Sequence, residues 1–380
     1  MSSSGIRHVA DLAREWVDRE GLQTLVLLAA RRGTIVLHQA WGRMGPEVDA
    51  PPASLDAMFD TQSLGKVFTA TAVMLLVEDG RVGLNRPVSS YVPFFRGDGK
   101  DGVLVRHLLT HTSGLRWEDT ERFAKEREGK IEIPPAEGGT HPLWNEYFAL
   151  RADCPLWKRP GERMSYCPYG FDLLGEIVAR VSGQPLDVFS QRRIFGPLGM
   201  KDTLWCQVDV PASRRVRKPP IPAEQLDALD RARETERIAF GAGGAYTTAR
   251  DMAVFAQMVL NGGAYGETRI LSPATTKAMT RNQIPGVSAQ FFDQYFPEAS
   301  WGFGWDVHAN KSGWSGTLQS PDTFGHTGAG GVECWADPRD QLVTVFFSAV
   351  PQSEISTRVW ARYWRNDLFA NAVTAAITEP

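Results

Sequence analysis

Ser63 and Lys66 lie three residues apart at the start of an apolar helical pattern that continues over residues 67–78. Residues three apart on a helix share one face, so we expect the Lys66 amine beside the Ser63 hydroxyl. A serine hydroxyl is a weak nucleophile until a base takes its proton, and lysine acts as that base when its pKa is lowered. Taken alone, the tetrad is also compatible with a serine N-cap followed by a solvated lysine.

The composition limits the possible classes of protein. The chain has 380 residues, of which 43% are hydrophobic and 22% charged, and its formal net charge is −3. This length and composition fit one large enzyme or two domains, and the charge gives no electrostatic basis for nucleic-acid binding. No apolar run is long enough to cross a membrane, and Met1–His8 lack a signal-peptide core. The sequence therefore predicts a cytoplasmic protein without a nucleic-acid or membrane partner.

The cysteines and histidines are scattered. Four cysteines (Cys154, Cys167, Cys206 and Cys334) include no C-x-x-C pair. We expect free thiols rather than disulfides. No cluster of histidine, cysteine and carboxylate residues has metal-site spacing, so neither a metal nor another cofactor is predicted.

Hydrophobic periodicity predicts the elements that must position Ser63. Residues 25–30 and 34–38 predict a hairpin, and residues 332–336 and 342–348 predict two further strands. Helices are predicted over residues 7–19, 64–79, 103–110, 170–182, 249–261 and about 355–376. The stretches 116–160 and 203–236 are expected to be irregular.

The order of these elements predicts an α+β fold. The N- and C-terminal thirds are expected to share one antiparallel sheet flanked by helices. We assign residues 1–95 and 237–380 to this sheet-plus-helices domain. Residues 96–236 are expected to form a mostly helical inserted lobe with irregular insertions.

Two further segments complete a pattern with the tetrad. Tyr166 opens a Y-x-x segment before the helix at 170–182, and His326-Thr327-Gly328 precedes the strand at 332–336. Three such segments in this order resemble the serine β-lactamase and penicillin-binding-protein superfamily. Residues 108–115, 243–252 and 301–305 are similar to its class C-like branch, which includes family VIII esterases, D-aminopeptidases, aminohexanoate-oligomer hydrolases and polyketide acyltransferases.

The resemblance extends from about residue 7 to residue 370. It implies a β-lactamase-like fold with the active site between the sheet domain and the helical lobe. It also implies that Ser63 is the acyl-accepting nucleophile, that Lys66 is its proton partner, and that Tyr166 relays a proton to the leaving group.

The same resemblance implies the surroundings of the reacting carbonyl. The backbone N–H groups of Ser63 and Ala329 would form the oxyanion hole, where donors stabilise charge that develops in the transition state. Further residues are expected to border the substrate: His326, Thr327, Gly328, Trp117 and Trp305.

Two departures from the family pattern bear on the substrate. Pro168 stands where β-lactamases commonly have an asparagine, so a substrate amide would lose a hydrogen bond of about 0.5–1.5 kcal/mol. His326 replaces a lysine, so a fixed cation for a substrate carboxylate is missing at this position. Both changes favour a neutral ester or amide with an apolar acyl group over a β-lactam or muropeptide.

The sequence predicts a serine hydrolase, and we expect a carboxylesterase that acts on a small-molecule substrate. One alternative is an amidase or peptidase on small or cyclic amides. Another is a transacylase of secondary metabolism, in which an alcohol or amine replaces water at the acyl-enzyme. A β-lactamase is less favoured because of Pro168 and His326, and a non-catalytic sensor is less favoured because Ser63, Lys66 and Tyr166 are all present.

Overall fold

The computed structural model describes residues 1–135, 141–219, 226, 228–309, 311, 316–349 and 364–379. In chain order, the strands are β1 (Thr24–Arg31), β2 (Thr34–Gly42), β3 (Phe59–Asp60), β4 (Tyr246–Thr247), β5 (Ala264–Tyr265), β6 (Thr268–Arg269), β7 (Ala289–Phe291), β8 (Gln294–Phe296), β9 (Asp306–Val307), β10 (Phe324–Gly328), β11 (Val332–Asp337) and β12 (Leu342–Ala349).

The α-helices are α1 (Ser3–Asp18), α2 (Lys66–Glu78), α3 (Val105–Leu109), α4 (Trp117–Arg127), α5 (Pro142–Arg151), α6 (Pro168–Ser182), α7 (Leu186–Ser190), α8 (Gly196–Leu198), α9 (Ala228–Ala232), α10 (Ala249–Leu260), α11 (Pro273–Met279) and α12 (Trp364–Ala375). Short 3₁₀ segments cover Gln62–Gly65, Val88–Ser90, Lys100–Gly102 and Gln207–Asp209, and a π-helical segment covers Gln191–Phe195.

The main sheet is antiparallel and has the strand order β2-β1-β12-β11-β10-β9. It thus joins the N-terminal hairpin to strands near the C-terminus, as the sequence predicts. Alternate residues of β1 point to opposite faces of the sheet. Leu25 and Leu27 pack in a cluster with residues of α1 and α12, whereas Val26 and Leu28 join a larger core with α2 and α10.

Helix α2 runs through this larger core. Every residue from Lys66 to Leu76 is buried, as expected for a helix that is apolar on all sides. The Phe68 ring packs edge-on against Phe195, Trp205 and Phe255. The residue at the start of α2, Lys66, is therefore fixed by the packing of the whole helix.

The expected irregularity of residues 116–160 is wrong for much of that stretch, because α4 and α5 lie within it. Helix α4 has few apolar residues, and side-chain charges stabilise it instead. Asp119 accepts from both Arg116 and Arg122, and Arg151 of α5 forms a bidentate pair with Glu121. Periodicity of apolar residues does not report such ion pairs, so the sequence pattern missed this helix.

The remaining expectations have mixed outcomes. The predicted hairpin, the strands at 332–336 and 342–348, and the helices after Ser63 and at 170–182 and 249–261 are confirmed within a few residues. Within 203–236 the structure has α9 and the 3₁₀ segment Gln207–Asp209, and residues 220–225 and 227 lie outside the described residues. Of the helix expected over about 355–376, residues 355–363 also lie outside them. The domain division at 95/96 and 236/237 stays a prediction.

Two general features concern the described ranges only. None of their helices combines the length and apolarity needed to cross a bilayer. The four cysteines are free and buried, and no group of three or more metal-binding side chains comes together in the same residues.

Candidate active site

Ser63 lies in a turn that leads directly into α2. This turn is the 3₁₀ segment Gln62–Gly65, and Gln62 has a positive φ of 48°. The Asp60 carboxylate accepts hydrogen bonds from Gln62 N at 2.9 Å and from Gln62 Nε2 at 2.7 Å. A non-glycine residue persists in this backbone region only when its surroundings hold it there. Asp60 therefore stabilises the backbone of the turn that carries Ser63.

The Lys66 amine contacts Ser63 directly. Lys66 Nζ lies 3.0 Å from Ser63 Oγ and also donates to the carbonyl oxygen of Ala242. The lysine side chain is fully buried, and this burial lowers the pKa of Lys66 to about 7, although the Asp172 charge opposes the shift. Near neutral pH a large fraction of Lys66 is thus uncharged and able to accept the serine proton.

Residues 241–244 form a tight connection against the Ser63 turn. Thr69 Oγ1 of α2 donates to Gly241 O at 2.7 Å. A Cβ atom on Gly243, whose φ is 132°, would lie 1.9 Å from Gln62 O. Only glycine fits this close approach of two backbones. These glycines therefore bring the carbonyl oxygen of Ala242 to Lys66.

Asp172 of α6 holds this connection from the other side. Its carboxylate accepts from Ala242 N at 2.9 Å and from Tyr147 OH at 2.8 Å. Burial raises the pKa of Asp172, and these two hydrogen bonds and the charge of Lys66 oppose that rise. Asp172 thus positions the residue whose carbonyl oxygen binds the Lys66 amine.

Tyr166 approaches the same amine from the helical part of the chain. Lys66 Nζ lies 4.9 Å from the centroid of the Tyr166 ring. The His111 ring packs on the Tyr166 ring at 4.3 Å, and the Trp301 ring lies 6.2 Å away. His111 Nδ1 accepts from Cys167 N at 3.2 Å, so one histidine fixes both the tyrosine ring and the backbone that follows it. Burial and the nearby charge of Lys66 hold the pKa of His111 well below its ordinary value.

His326 of β10 is neutral in this site. Burial and the charge of Lys66 lower the pKa of His326 to about 3. His326 Nδ1 lies 2.7 Å from Thr327 O. Because a carbonyl oxygen only accepts, Nδ1 carries the proton and Nε2 is a bare acceptor. Within the described residues, Nε2 has no hydrogen-bond partner.

The end of β10 packs against the Ser63 turn. A Cβ atom on Gly328 would lie 2.3 Å from Thr61 O and 3.1 Å from Gln62 Cβ. The absence of a side chain at Gly328 therefore lets the strand approach the nucleophile. Ala329 is the next residue, and the oxyanion hole formed by its backbone N–H and that of Ser63 stays a prediction.

Trp117 is joined to the site through other aromatic rings. It is the first residue of α4, and its ring lies 5.6 Å from Phe292. Phe292 contacts Phe291 at 4.8 Å, and Phe291 lies 6.1 Å from Tyr166. Trp117 is thus the outer member of an aromatic row that begins at the candidate proton donor.

Trp305 does not lie in this row. It is 1% exposed and packs in the core, stacked on Phe255 and edge-on to Phe324. This position gives no support to the expectation that Trp305 borders the substrate. Trp301 stands nearer the predicted residues, because its ring lies within 6.2 Å of both Tyr166 and His326.

Several residues of the site were not singled out from the sequence. They are His111, Tyr147, Asp172 and Trp301. Asp172 did carry a signal, since it stands between the apolar residues Phe171 and Leu173 of α6, and an acid in such a position is rarely buried without a partner. His111 and Trp301 lie in the segments 108–115 and 301–305 that resemble the family, whereas Tyr147 joins the site only through tertiary packing.

The buried lysine predicts the pH dependence of turnover. Lys66 must be uncharged to accept a proton, so kcat/KM should rise with pH and level off above about 7, falling about tenfold per unit below that value. The measurement is kcat/KM for a neutral ester from pH 4 to 9. Lys66→Arg keeps the charge but stays protonated, so it should lose activity across this range. An ascending limb centred below pH 5 would contradict the assignment and indicate a carboxylate base.

The charge of Asp172 should affect the pH at which kcat/KM rises. Asp172→Asn keeps an acceptor for Ala242 N but removes the negative charge that raises the pKa of Lys66. The ascending limb of kcat/KM should therefore move to lower pH by about one unit. Asp322→Asn, at an exposed carboxylate paired with Arg339, is the control and should leave the limb in place. An unmoved limb in Asp172→Asn would rule out electrostatic coupling between the two groups.

Comparison with known proteins shows the family and the fold of this chain. The family model described as Beta-lactamase matches residues 9–367. A putative D-alanyl-D-alanine carboxypeptidase of Salmonella schwarzengrund (strain CVM19633) is 28% identical over 382 residues, which cover 90% of this chain and 82% of the relative.

Solved structures share the fold. A family VIII carboxylesterase has a TM-score of 0.75 at 22% identity and 99% coverage of both chains. EstCE1, a hydrolase with promiscuous acyltransferase activity, has a TM-score of 0.75 at 22% identity, with 97% of this chain and 98% of the other covered. Simvastatin synthase (LovD) from Aspergillus terreus has a TM-score of 0.75 at 18% identity and 99% coverage of both. These identities show the fold alone. The family match and the residues around Ser63 together show that this chain belongs to the β-lactamase family of serine hydrolases.

Proposed function

We propose that the protein is a carboxylesterase that forms an acyl-enzyme on Ser63 and acts on esters with a neutral, apolar leaving group. The observation that carries this proposal is the state of His326. Its Nε2 is an acceptor in the neutral ring, and a carboxylate at that point would bring two further acceptors. An uncharged alcohol portion avoids this repulsion.

The surrounding rings support the same substrate class. The His111, Trp301 and Phe291 rings surround Tyr166, the candidate donor to the leaving group. Such rings favour an apolar group and offer few partners to a charged one. Pro168, the first residue of α6, supplies no side-chain amide for a substrate amide carbonyl.

The proposed reaction has two halves. Lys66 accepts the hydroxyl proton as Ser63 Oγ attacks the ester carbonyl, and the N–H groups of Ser63 and Ala329 bind the negatively charged oxygen. The tetrahedral intermediate then expels the alcohol, which takes a proton through Tyr166. Water attacks the acyl-enzyme by the same route in reverse, and the acid leaves Ser63 free.

The test compares two chromogenic substrates. 4-Nitrophenyl butyrate should be turned over rapidly and a chromogenic cephalosporin slowly. Ser63→Ala should lower kcat for the ester by about a thousandfold or more, as expected when a nucleophile is deleted. Ser190→Ala, at a buried serine of α7, is the matched control and should retain turnover.

Two results would overturn the proposal. One is ester turnover that survives in Ser63→Ala. The other is cephalosporin cleavage that is faster than ester cleavage, which would mean that the neutral His326 does not determine the substrate class.

A further inference from the structure

A lysine from the segment between α8 and α9 lies beside the candidate oxyanion hole. Lys218 Nζ is 2.0 Å from the point that a Cβ atom on Gly330 would occupy. Gln62 Cγ is 3.7 Å from the same point. The ammonium therefore lies directly against the backbone of the residue after Ala329, next to the residue that precedes Ser63.

The charges around Lys218 do not cancel. Asp60 is the carboxylate whose charge acts on it, but Asp60 already accepts two hydrogen bonds from Gln62. Arg233 Nη1 lies 3.5 Å from the same carboxylate and Nη2 donates to Gly244 O. The single carboxylate of Asp60 thus faces the charges of both Arg233 and Lys218. Within the described residues, the Lys218 ammonium has neither a hydrogen bond nor an ion pair.

Burial makes this surplus charge costly. Burial is the main cause that lowers the pKa of Lys218, and Arg233 lowers it further while Asp60 opposes the shift. A second carboxylate against the ammonium would offset this cost, because charge-assisted hydrogen bonds are the strong ones in a partly buried site. The position is therefore suited to an anionic group from outside the chain.

The position of Lys218 relative to Tyr166 indicates which part of a substrate it meets. Tyr166 and the aromatic rings lie near His326, at one end of the segment that runs from β10 to the turn at Gly330. Lys218 lies at the other end, four residues further along the chain. The leaving alcohol must be near Tyr166 to receive its proton, so the acyl group extends toward Gly330 and Lys218.

We propose that Lys218 binds a carboxylate at the far end of the acyl group, so that the preferred substrates are monoesters of dicarboxylic acids with a neutral alcohol. This inference rests on the proposed esterase function and refines it. The leaving-group side of the site, near Tyr166, has the neutral His326. The acyl side, near Gly330, has the Lys218 ammonium. Gly330 has no side chain, which leaves room for the ammonium.

The experiment uses two esters that differ in one charge. They are mono-4-nitrophenyl adipate and the mixed 4-nitrophenyl methyl ester of adipic acid. The measured quantity is the ratio of their kcat/KM values, charged ester over neutral ester. Lys218→Met should lower this ratio about tenfold or more relative to the wild type, the loss expected for one charge-assisted hydrogen bond.

Two variants control the comparison. Lys218→Arg keeps the charge and should retain most of the ratio. Lys201→Met removes an exposed lysine and should leave the ratio at the wild-type value. Because each ratio is internal to one variant, a partial loss of folded protein does not change it.

The outcomes separate this inference from the function on which it rests. A ratio that is the same in Lys218→Met and the wild type overturns the inference, whether both rates fall together or neither falls. If the wild type hydrolyses neither ester faster than Ser63→Ala does, the proposed esterase function fails as well.

Discussion

The burial of one amine at the start of a helix is the constraint on which this site depends. An ammonium group without water is costly unless polar groups surround it. Lys66 Nζ contacts Ser63 Oγ and donates to Ala242 O, and the Asp172 carboxylate accepts from Ala242 N. The same burial lowers the pKa of Lys66 to about 7 and makes it a base near neutral pH. Three features exclude water from that amine: the packing of α2, the glycine-rich connection at residues 241–244, and the close approach of α6.

The two ends of the site differ in charge, and this difference determines which part of a substrate each end suits. At one end, the neutral His326 and the rings around Tyr166 suit an uncharged alcohol. At the other end, Lys218 lies against Gly330 beside the candidate oxyanion hole. Loss of a cation at one point of a family site therefore does not mean that the whole site is neutral.

Sequence reasoning reached the fold and the reacting residues because their signals are local and ordered. Ser63 and Lys66 share one helical turn, and Tyr166 and His326 stand in short motifs that precede a predicted helix and a predicted strand. The structure brings these four together, while their catalytic roles stay predictions. The sequence signals that Asp172 needs a partner, but that partner and the surroundings of Lys218 come from distant segments that only the folded chain brings close. Trp305 and Trp301 show the same limit, since one lies in the core and the other near Tyr166.

The most direct test of the account is the mass of the protein during turnover. The protein is mixed with 4-nitrophenyl butyrate, quenched in acid within the first turnovers, and measured by intact mass spectrometry and peptide mapping. The account predicts the added mass of one butyryl group on the peptide that contains Ser63, and no such mass in Ser63→Ala. A butyryl group on another residue, or turnover without any covalent intermediate under conditions where deacylation is slow, would contradict it.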